Sequence, residues 1–442
     1  MYKYFPHTES DIAEMLERIG VSSLDDLYAE IPESIRFDKD YNLHKSMSED
    51  EVRSYFKELG NLNHPLISFA GGGAYDHYSP SVIAQLIARS EYLTAYTPYQ
   101  PEISQGTLQY IFEFQSMICE LTGMECCNAS MYDGATATAE AMLMAIAHAK
   151  KRNKVIISRT VSERVIAVVE TYARFHGVVL DYIPEKEGVT DKAAMEQMLA
   201  ADDVAGVIVS TPNRYGIIED FTGFSESTHA HKTLFIVNAD PSAMAVLKTP
   251  GEWGADIGWG GGQSLGMPLT FGGPYVGYLA ATRALVRKLP GRIVGATKDV
   301  DGKRAFVLTL QAREQHIRRQ KANSNICSNQ SLMALYVTIY MALMGKRGLQ
   351  EVNEKSYAGA HYLCDKLLAT GKFSLCFDKP FLKEFAVRTT LNREKLLKHL
   401  EEKGFLAGIP VEGTDDALLF CVTEKRTREE IDNLVSLIEQ EG

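Results

Sequence analysis

Polar side chains stand at the ends of several segments whose apolar composition is typical of buried strands. Asp240 follows the apolar segment 234–237, and Asn213 follows another such segment. Gln263 and Ser264 lie in a glycine-rich loop between two further strand-like segments. Because ligands of mostly parallel sheets bind beyond the carboxyl ends of the strands, we expect these four side chains to lie near one edge of a sheet.

An aspartate at the end of a buried strand, followed by a loop between two strands, resembles the active-site layout of fold-type I pyridoxal-phosphate enzymes. In those enzymes the aspartate pairs with the pyridinium nitrogen, and a lysine of the later loop forms the Schiff base. This loop contains no lysine. Counted from Asp256, Gln263 and Ser264 occupy the positions of the family's His-Lys pair. A serine hydroxyl cannot form an imine, so we expect that this chain does not bind the cofactor covalently.

Lys248 is the only lysine between Pro241 and Arg283. It follows Asp240 too closely to belong to the loop that would return under a cofactor ring. An autonomous pyridoxal-phosphate lyase or transaminase that uses Lys248 is therefore an alternative to a chain without a Schiff-base lysine.

The elements that must position these residues alternate along the chain. Strand-like segments at 154–158, 178–183 and 204–210 are separated by helical segments. This order predicts an α/β fold with a mostly parallel sheet flanked by helices, of the fold-type I pyridoxal-phosphate-dependent transferase type. A turn at Asp133-Gly134 opens an alanine-rich helix, where backbone N–H groups could approach a phosphate group. Alanine-rich helix starts are also common in any packed α/β domain.

The chain is predicted to have three parts. A mostly helical N-terminal arm covers 1–65, a large α/β domain covers 66–345, and a small C-terminal α/β domain covers 346–442. The arm is predicted to form one helix that ends at Ile19 and a second helix over 22–31. Such an arm either wraps a partner or packs on the main domain, and the sequence favours neither.

Composition limits the classes of partner. A formal net charge of -11 and a pI near 5.6 argue against nucleic acid and anionic membranes, because both would be repelled. No segment approaches the roughly 18 apolar residues that a membrane span needs. The seven cysteines form no CxxC pair and no metal-like spacing, so we expect reduced thiols, no metal site and a cytoplasmic location.

Two further segments carry candidate pocket residues. Tyr96, Tyr99 and Gln100 lie on a proline-punctuated loop, and Gln105 stands at the start of the helix that follows. These side chains could line a polar pocket, or they could anchor a surface or interface loop. Arg313 begins a basic segment in which an arginine could bind a carboxylate. The alternative for most of this segment is a solvated or subunit-facing surface.

Five segments closely resemble glycine dehydrogenase (decarboxylating), the P-protein family of the glycine cleavage system. The length of the chain and its missing lysine match the subunit 1 chains of that family. The resemblance is specific because the segments are long and spread over most of the sequence. They are TPYQPEISQG (97–106), SMYDGATATAEA (130–141), TPNRYGIIED (211–220), GGQSLGMPLTFGGPYVG (261–277) and REQHIRRQKANSNICSNQ (313–330).

The resemblance implies a chain that is inactive alone and pairs with a homologous subunit 2, which holds pyridoxal phosphate covalently. The complex decarboxylates glycine and passes the aminomethyl group to the lipoyl arm of the H-protein. The remaining alternative is a scaffold subunit that only stabilises its partner. In the first case this chain contributes wall residues to a shared pocket. The candidates are Tyr96, Tyr99, Gln100, Gln105, Asn213, Asp240, Gln263, Ser264 and Arg313.

Overall fold

The computed structural model describes residue 4 and residues 6–37, 39–313, 315–322, 324, 326 and 328–441. The side chain of Arg313 lies outside the described part. The chain divides into two compact units, Met1–His64 and Pro65–Gly442. Among the described residues, no helix is long and apolar enough to cross a membrane.

The described residues of the first unit contain two α-helices, α1 (Glu9–Ile19) and α2 (Glu49–Gly60). Each begins with a capping box, in which the side chain of Thr8 or Ser48 accepts a backbone N–H and its own backbone N–H donates to the carboxylate of Asp11 or Glu51. The predicted helix that ends at Ile19 is confirmed.

The predicted second helix over 22–31 is wrong. The chain forms two short 3₁₀ turns instead, Asp25–Tyr28 and Glu33–Ile35. The carboxylate of Asp26 accepts the backbone N–H groups of Ser22 and Ser23, at 2.9 and 2.8 Å. Such local side-chain bonds compete with helix formation.

The second unit holds the rest of the secondary structure. Its helices are α3 (Ser81–Ile87), α4 (Ser90–Leu93), α5 (Gln105–Thr122), α6 (Gly134–Ala149), α7 (Glu163–His176), α8 (Lys192–Leu199), α9 (Phe224–Ala230), α10 (Gln315–Arg318), α11 (Ser331–Ala369), α12 (Arg393–Glu402) and α13 (Arg428–Gln440). Its strands are β1 (Ile67–Ser68), β2 (Cys126–Cys127), β3 (Lys154–Ser158), β4 (Val179–Ile183), β5 (Glu185–Lys186), β6 (Val189–Thr190), β7 (Val204–Thr211), β8 (Leu234–Ala239), β9 (Ile257–Gly261), β10 (Gly277–Ala281), β11 (Ile293–Lys298), β12 (Arg304–Thr309), β13 (Phe373–Leu375), β14 (Glu384–Thr389), β15 (Phe405–Leu406), β16 (Ile409–Pro410) and β17 (Ala417–Cys421).

Seven strands form the main sheet in the order β2-β10-β9-β8-β7-β3-β4. The pairs from β9 to β4 are parallel, and β10 is antiparallel to both of its neighbours. The alternation of strands and helices therefore leads to the mostly parallel sheet that the sequence predicts. Side chains alternate between the two faces, as in β3, where Val155 and Ile157 join one apolar core and Ile156 the other.

The C-terminal part builds a second, four-stranded antiparallel sheet in the order β13-β14-β17-β16. It packs with α12, α13 and the end of α11 around one apolar cluster. The long α11 is interrupted at Gly345, where φ is 58°. The predicted boundary between 345 and 346 falls at this interruption and stays a prediction.

Candidate functional site

The loops that follow β7, β8 and β9 lie at one edge of the main sheet, because these three strands are parallel neighbours. Asp240 directly follows β8, and Asn213 follows β7. The loop from β9 to β10 carries Gln263 and Ser264. The structure therefore brings these four predicted positions to the same edge.

Asp240 is a largely buried carboxylate that contacts one cation and accepts two hydrogen bonds. Lys383 Nζ lies 2.6 Å from Asp240 Oδ2, and both side chains are largely buried. The hydroxyl of Ser264 donates to Asp240 Oδ1, and so does the backbone N–H of Ser242, at 3.1 Å. Ser264 thus contacts the same aspartate that a cofactor ring would contact in this fold.

Lys383 is the residue that sequence reasoning missed. It directly precedes β14 of the four-stranded sheet, and its side chain is only 2% exposed. A lysine is almost never fully buried unless it is paired. The only signal in the sequence is its apolar surroundings in FLKEF (381–385), and these give no hint of its partner.

The ammonium of Lys383 contacts two further groups. Its Nζ lies 3.2 Å from His77 Nε2 and 3.8 Å from the centre of the Tyr75 ring, which is a cation–π distance. His77 Nδ1 lies 2.6 Å from Glu424 Oε2. A chain of polar groups therefore runs from Asp240 through Lys383 and His77 to Glu424.

The glycine-rich segment before Tyr75 allows the backbone to approach the second sheet. The hydroxyl of Tyr75 donates to Glu384 Oε2 at 2.8 Å, and the N–H of Gly72 donates to Glu384 Oε1 at 2.5 Å. A Cβ on Gly71 would lie 2.1 Å from Glu384 Oε1. Close backbone approach is therefore the reason for the glycines here.

Gln263 holds this segment from the side of the main sheet. Its Oε1 accepts the N–H of Tyr75 at 2.7 Å, and its Nε2 donates to the carbonyl of Tyr75 at 2.8 Å. Nε2 also donates to the carbonyl of Met267 at 2.7 Å. The amide of Gln263 is thus engaged within the chain.

The electrostatics of the site follow from burial and from these contacts. Burial disfavours a charged Asp240, but the charge of Lys383 and the bonds from Lys383 and Ser264 hold its pKa below the ordinary value. Burial and the Lys383 charge lower the pKa of His77. A neutral His77 that donates from Nδ1 to Glu424 and accepts at Nε2 from Lys383 satisfies both neighbours. Burial raises the pKa of Glu384.

The N-terminus of α6 carries its own anion. The carboxylate of Asp133 caps the helix and accepts the backbone N–H of Thr136 at 2.8 Å. The first helical residue, Gly134, packs on the end of β9, where a Cβ would lie 2.9 Å from the backbone nitrogen of Gly261. A carboxylate in this position repels a phosphate group.

The other predicted pocket residues divide into exposed and engaged ones. Tyr96 is 76% exposed and its hydroxyl lies 2.7 Å from Ser328 Oγ. Tyr99 is 49% exposed and accepts a bond from the buried guanidinium of Arg292 at 3.2 Å. Gln100 is exposed on the same loop.

Gln105 and Asn213 instead form hydrogen bonds with backbone groups of this chain. The amide of Gln105 bonds to both the N–H and the carbonyl of Phe306 in β12, at 2.9 and 2.8 Å. Asn213 is buried and donates to the carbonyl of Gly188 and to Glu219, at 2.8 Å each. Arg313 ends a short 3₁₀ turn, and its side chain lies outside the described residues.

Lys248 lies elsewhere in the fold. Its Nζ is 4.2 Å from the centre of the Trp253 ring, which packs against the apolar cluster around Phe221 and Phe235. Among the described residues, no group of three His, Cys, Asp or Glu side chains could hold a metal ion.

The model of the glycine cleavage system P-protein family matches residues 2–438. The chain belongs to this family. It is similar to the probable glycine dehydrogenase (decarboxylating) subunit 1 of Moorella thermoacetica, with 52% identity over 98% of each chain. The corresponding protein of Anoxybacillus flavithermus is 48% identical, again over 98% of each chain.

Solved structures agree with this assignment. A crystal structure of glycine decarboxylase (P-protein) in inhibitor-bound form has a TM-score of 0.90 and 43% identity, covering 99% of this chain and 100% of that chain. A glutamate decarboxylase of Lactobacillus brevis has a TM-score of 0.68 and 16% identity, covering 93% of this chain and 98% of that chain. This second likeness concerns the fold alone. The chain therefore has the fold-type I architecture that the sequence predicts.

Pyridoxal phosphate, the cofactor of fold-type I enzymes, does not fit the side chains of this P-protein chain. Ser264, at the position where the sequence predicts the missing Schiff-base lysine, bonds to Asp240, and Lys383 Nζ contacts Asp240 Oδ2. The Lys383 amine contacts Asp240, the side chain that pairs with the ring nitrogen in this fold. It therefore cannot at the same time reach the imine-forming carbon on the opposite side of the cofactor ring. Asp133 further places its carboxylate at the start of α6, where the sequence predicts an approach of backbone N–H groups to a phosphate group.

Proposed function

We propose that this chain is the lysine-less subunit 1 of a glycine dehydrogenase (decarboxylating) in the glycine cleavage system. It acts with a homologous subunit 2 that binds pyridoxal phosphate covalently. The complex decarboxylates glycine and transfers the aminomethyl group to the lipoyl H-protein. The isolated chain is inactive and resides in the cytoplasm.

The observation that carries this proposal is the bond from Ser264 to Asp240. It occurs in a chain whose relatives are named as subunit 1 of this enzyme. A hydroxyl cannot form the imine that the cofactor needs. The chemistry therefore requires a second chain that supplies both the lysine and a free aspartate for the ring nitrogen.

The exposed loop at Tyr96 to Gln100 supports a role for this chain in the partner's pocket. Tyr96 and Tyr99 present aromatic surface to solvent, while the contacts of their hydroxyls with Ser328 and Arg292 orient the rings. Rigid aromatic side chains of this kind are suited to line a substrate pocket or an interface. Arg313 stays a candidate for a carboxylate contact in the same pocket.

Reconstitution tests the proposal. The purified chain, the purified subunit 2 and their mixture are each incubated with pyridoxal phosphate, glycine and lipoyl H-protein. We expect a cofactor absorbance that depends on subunit 2, and carbon dioxide release only from the mixture. Cofactor absorbance or glycine decarboxylation by the isolated chain would overturn the proposal.

The same samples examine the alternative of an autonomous enzyme that uses Lys248. Borohydride reduction and peptide mapping would label Lys248 if it formed the Schiff base. The stacking of Lys248 on Trp253 favours an unlabelled residue. The scaffold alternative requires that turnover of the complex does not depend on Tyr96 or Gln100.

A further inference from the structure

Asp240 and Lys383 form an ion pair between parts of the chain that are distant in sequence. Asp240 follows β8 of the seven-stranded sheet, and Lys383 precedes β14 of the four-stranded sheet. The two charged atoms are 2.6 Å apart, and the Lys383 side chain is 2% exposed. Two ions are removed from water only at a large desolvation cost, and close pairing offsets part of it.

Groups other than Asp240 also contact the Lys383 ammonium. The ring of Tyr75 lies 3.8 Å from Lys383 Nζ, and His77 Nε2 lies 3.2 Å away. The next residue, Glu384, bonds to the Tyr75 hydroxyl. Gln263 of the main sheet holds the backbone of Tyr75. The segment that carries Tyr75 and His77 is thus bonded on both sides.

A second group of contacts fixes the same segment to the end of β17. Glu424 accepts the N–H of Tyr78 at 2.7 Å and contacts His77 at 2.6 Å. Asp76 pairs with Lys425 at 2.6 Å, and the hydroxyl of Thr423 donates to the Asp76 carbonyl at 2.9 Å. The buried ion pair is therefore the innermost part of a polar junction between the two sheets.

In fold-type I enzymes the corresponding aspartate pairs with a protonated ring nitrogen. An alkylammonium and a pyridinium present the same charge and an N–H donor. We infer that Lys383 is the built-in counter-ion of Asp240 in the place of the cofactor's ring cation, and that this pair holds the four-stranded sheet against the seven-stranded sheet. The inference rests on the proposed function in one respect, that the cofactor belongs to another chain.

Cation rescue tests the first half of the inference. Lys383→Ala removes the atoms of n-propylammonium and leaves Asp240 without its cation. We expect the Tm of the purified full chain to fall by several degrees. Added n-propylammonium chloride should recover at least half of this loss, whereas equimolar sodium chloride should not.

Asp240→Asn/Lys383→Ala is the matched control, because it lacks the anion that would bind the added amine. Wild type should not respond to the amine either. No recovery of Lys383→Ala, or equal recovery in the double variant, would overturn the assignment of Lys383 as the counter-ion.

A second set of variants keeps the inference testable if Lys383→Ala does not fold. Lys383→Met leaves a buried carboxylate unpaired, and Asp240→Asn/Lys383→Met removes both charges. The double variant should have the higher Tm, since unpaired buried charges cost more than an absent pair. A single variant as stable as the double variant would contradict the inference.

Hydrogen exchange tests the second half. The backbone amides of β14 should exchange at least tenfold faster in Lys383→Met than in wild type. Lys379→Met, which breaks an exposed contact of 3.5 Å to Glu187, should leave them unchanged. Unaltered exchange in Lys383→Met would overturn the role in holding the sheets together. These measurements use the chain alone. They can therefore contradict the inference while the reconstituted complex still decarboxylates glycine, and they can support it while the complex is inactive.

Discussion

The side-chain amide of Gln263 and the backbone of Tyr75 form two hydrogen bonds, 2.7 and 2.8 Å long. Counted from Asp256, Gln263 falls at the predicted position of the histidine in the family's His-Lys pair. Here the side chain of Gln263 connects the loop between β9 and β10 to the segment 71–78. The pair is buried and satisfies both backbone groups of Tyr75.

Gln263→Ala should destabilise the chain by about 1–3 kcal/mol, because it leaves the buried N–H of Tyr75 without its partner, whereas the Tyr75 carbonyl keeps the N–H of His77. Urea unfolding of the purified chain measures the change. Gln350→Ala is the control, since Gln350 is exposed and bonds only within α11. A cost as small as that of the control would show that water replaces the amide.

Gly71→Ala should cost about 1–3 kcal/mol, the usual range for overpacking in a dense core. Its Cβ would lie 2.1 Å from Glu384 Oε1 and 2.8 Å from Cys421 Cβ. Gly106→Ala is the matched control, because it meets nothing within 4 Å and lies inside α5. The control should be neutral or stabilising by up to about 1 kcal/mol. Equal unfolding free energies for the two variants would refute this expectation.

Glu140 should make stability fall as the pH rises. It is buried in α6, accepts a bond from Ser324 Oγ at 2.7 Å, and burial raises its pKa from 4.5 to about 7. The folded chain therefore binds this proton more tightly than the unfolded chain, so stability is lost between these two pKa values as the pH increases. The shift corresponds to about 3 kcal/mol.

Glu140→Gln keeps an acceptor for Ser324 and removes the titration. Urea unfolding near pH 5 and near pH 8 should show a smaller loss of stability in this variant than in wild type. Glu102→Gln, at an exposed position, should behave as wild type does. An identical pH dependence in wild type and Glu140→Gln would show that another group is responsible.

Ser264→Lys alone should not enable the isolated chain to bind pyridoxal phosphate. The new lysine would restore the imine-forming group, but Lys383 and Ser242 still occupy both oxygens of Asp240. Asp133 also still caps α6. Absorbance titration with the cofactor measures binding, and an imine band from the variant would contradict the expectation. Ser264→Ala, which only removes the hydroxyl, provides the baseline.

Tyr96→Ala should lower turnover of the reconstituted two-subunit complex by at least about tenfold, which is roughly 1.4 kcal/mol of barrier. Its side chain is 76% exposed, so the stability of the chain should change little. Phe175→Ala is the control. Phe175 is 80% exposed near the end of α7, just before β4 begins, whereas the site follows the carboxyl ends of β7, β8 and β9. Unchanged turnover of Tyr96→Ala would favour the scaffold alternative.

The sequence by itself predicted the main sheet and its helices, because strands buried on both faces, such as 204–211, are almost continuously apolar. It also predicted that Ser264 stands in the place of a lysine, since this depends only on the order of residues after Asp256. It did not predict the hairpin of β11 and β12, whose short strands carry several charged and polar side chains. It was also wrong about the helix over 22–31, where the chain forms 3₁₀ turns. The local hydrogen bonds to Asp26 that favour these turns leave no trace in the hydrophobic periodicity.

Only the tertiary structure decided what the site contains. Lys383 lies in a segment that reads as the start of a strand, and nothing in its neighbours specifies Asp240 as its partner. The pairing arises because the four-stranded sheet, the segment 71–78 and the carboxyl end of β8 pack together. A charged side chain buried at this junction is stable only next to an opposite charge. The same packing assigned Gln263 to the backbone of Tyr75 and Gln105 to the backbone of Phe306. Sequence order lists the groups that can do chemistry, whereas long-range packing determines which of them meet.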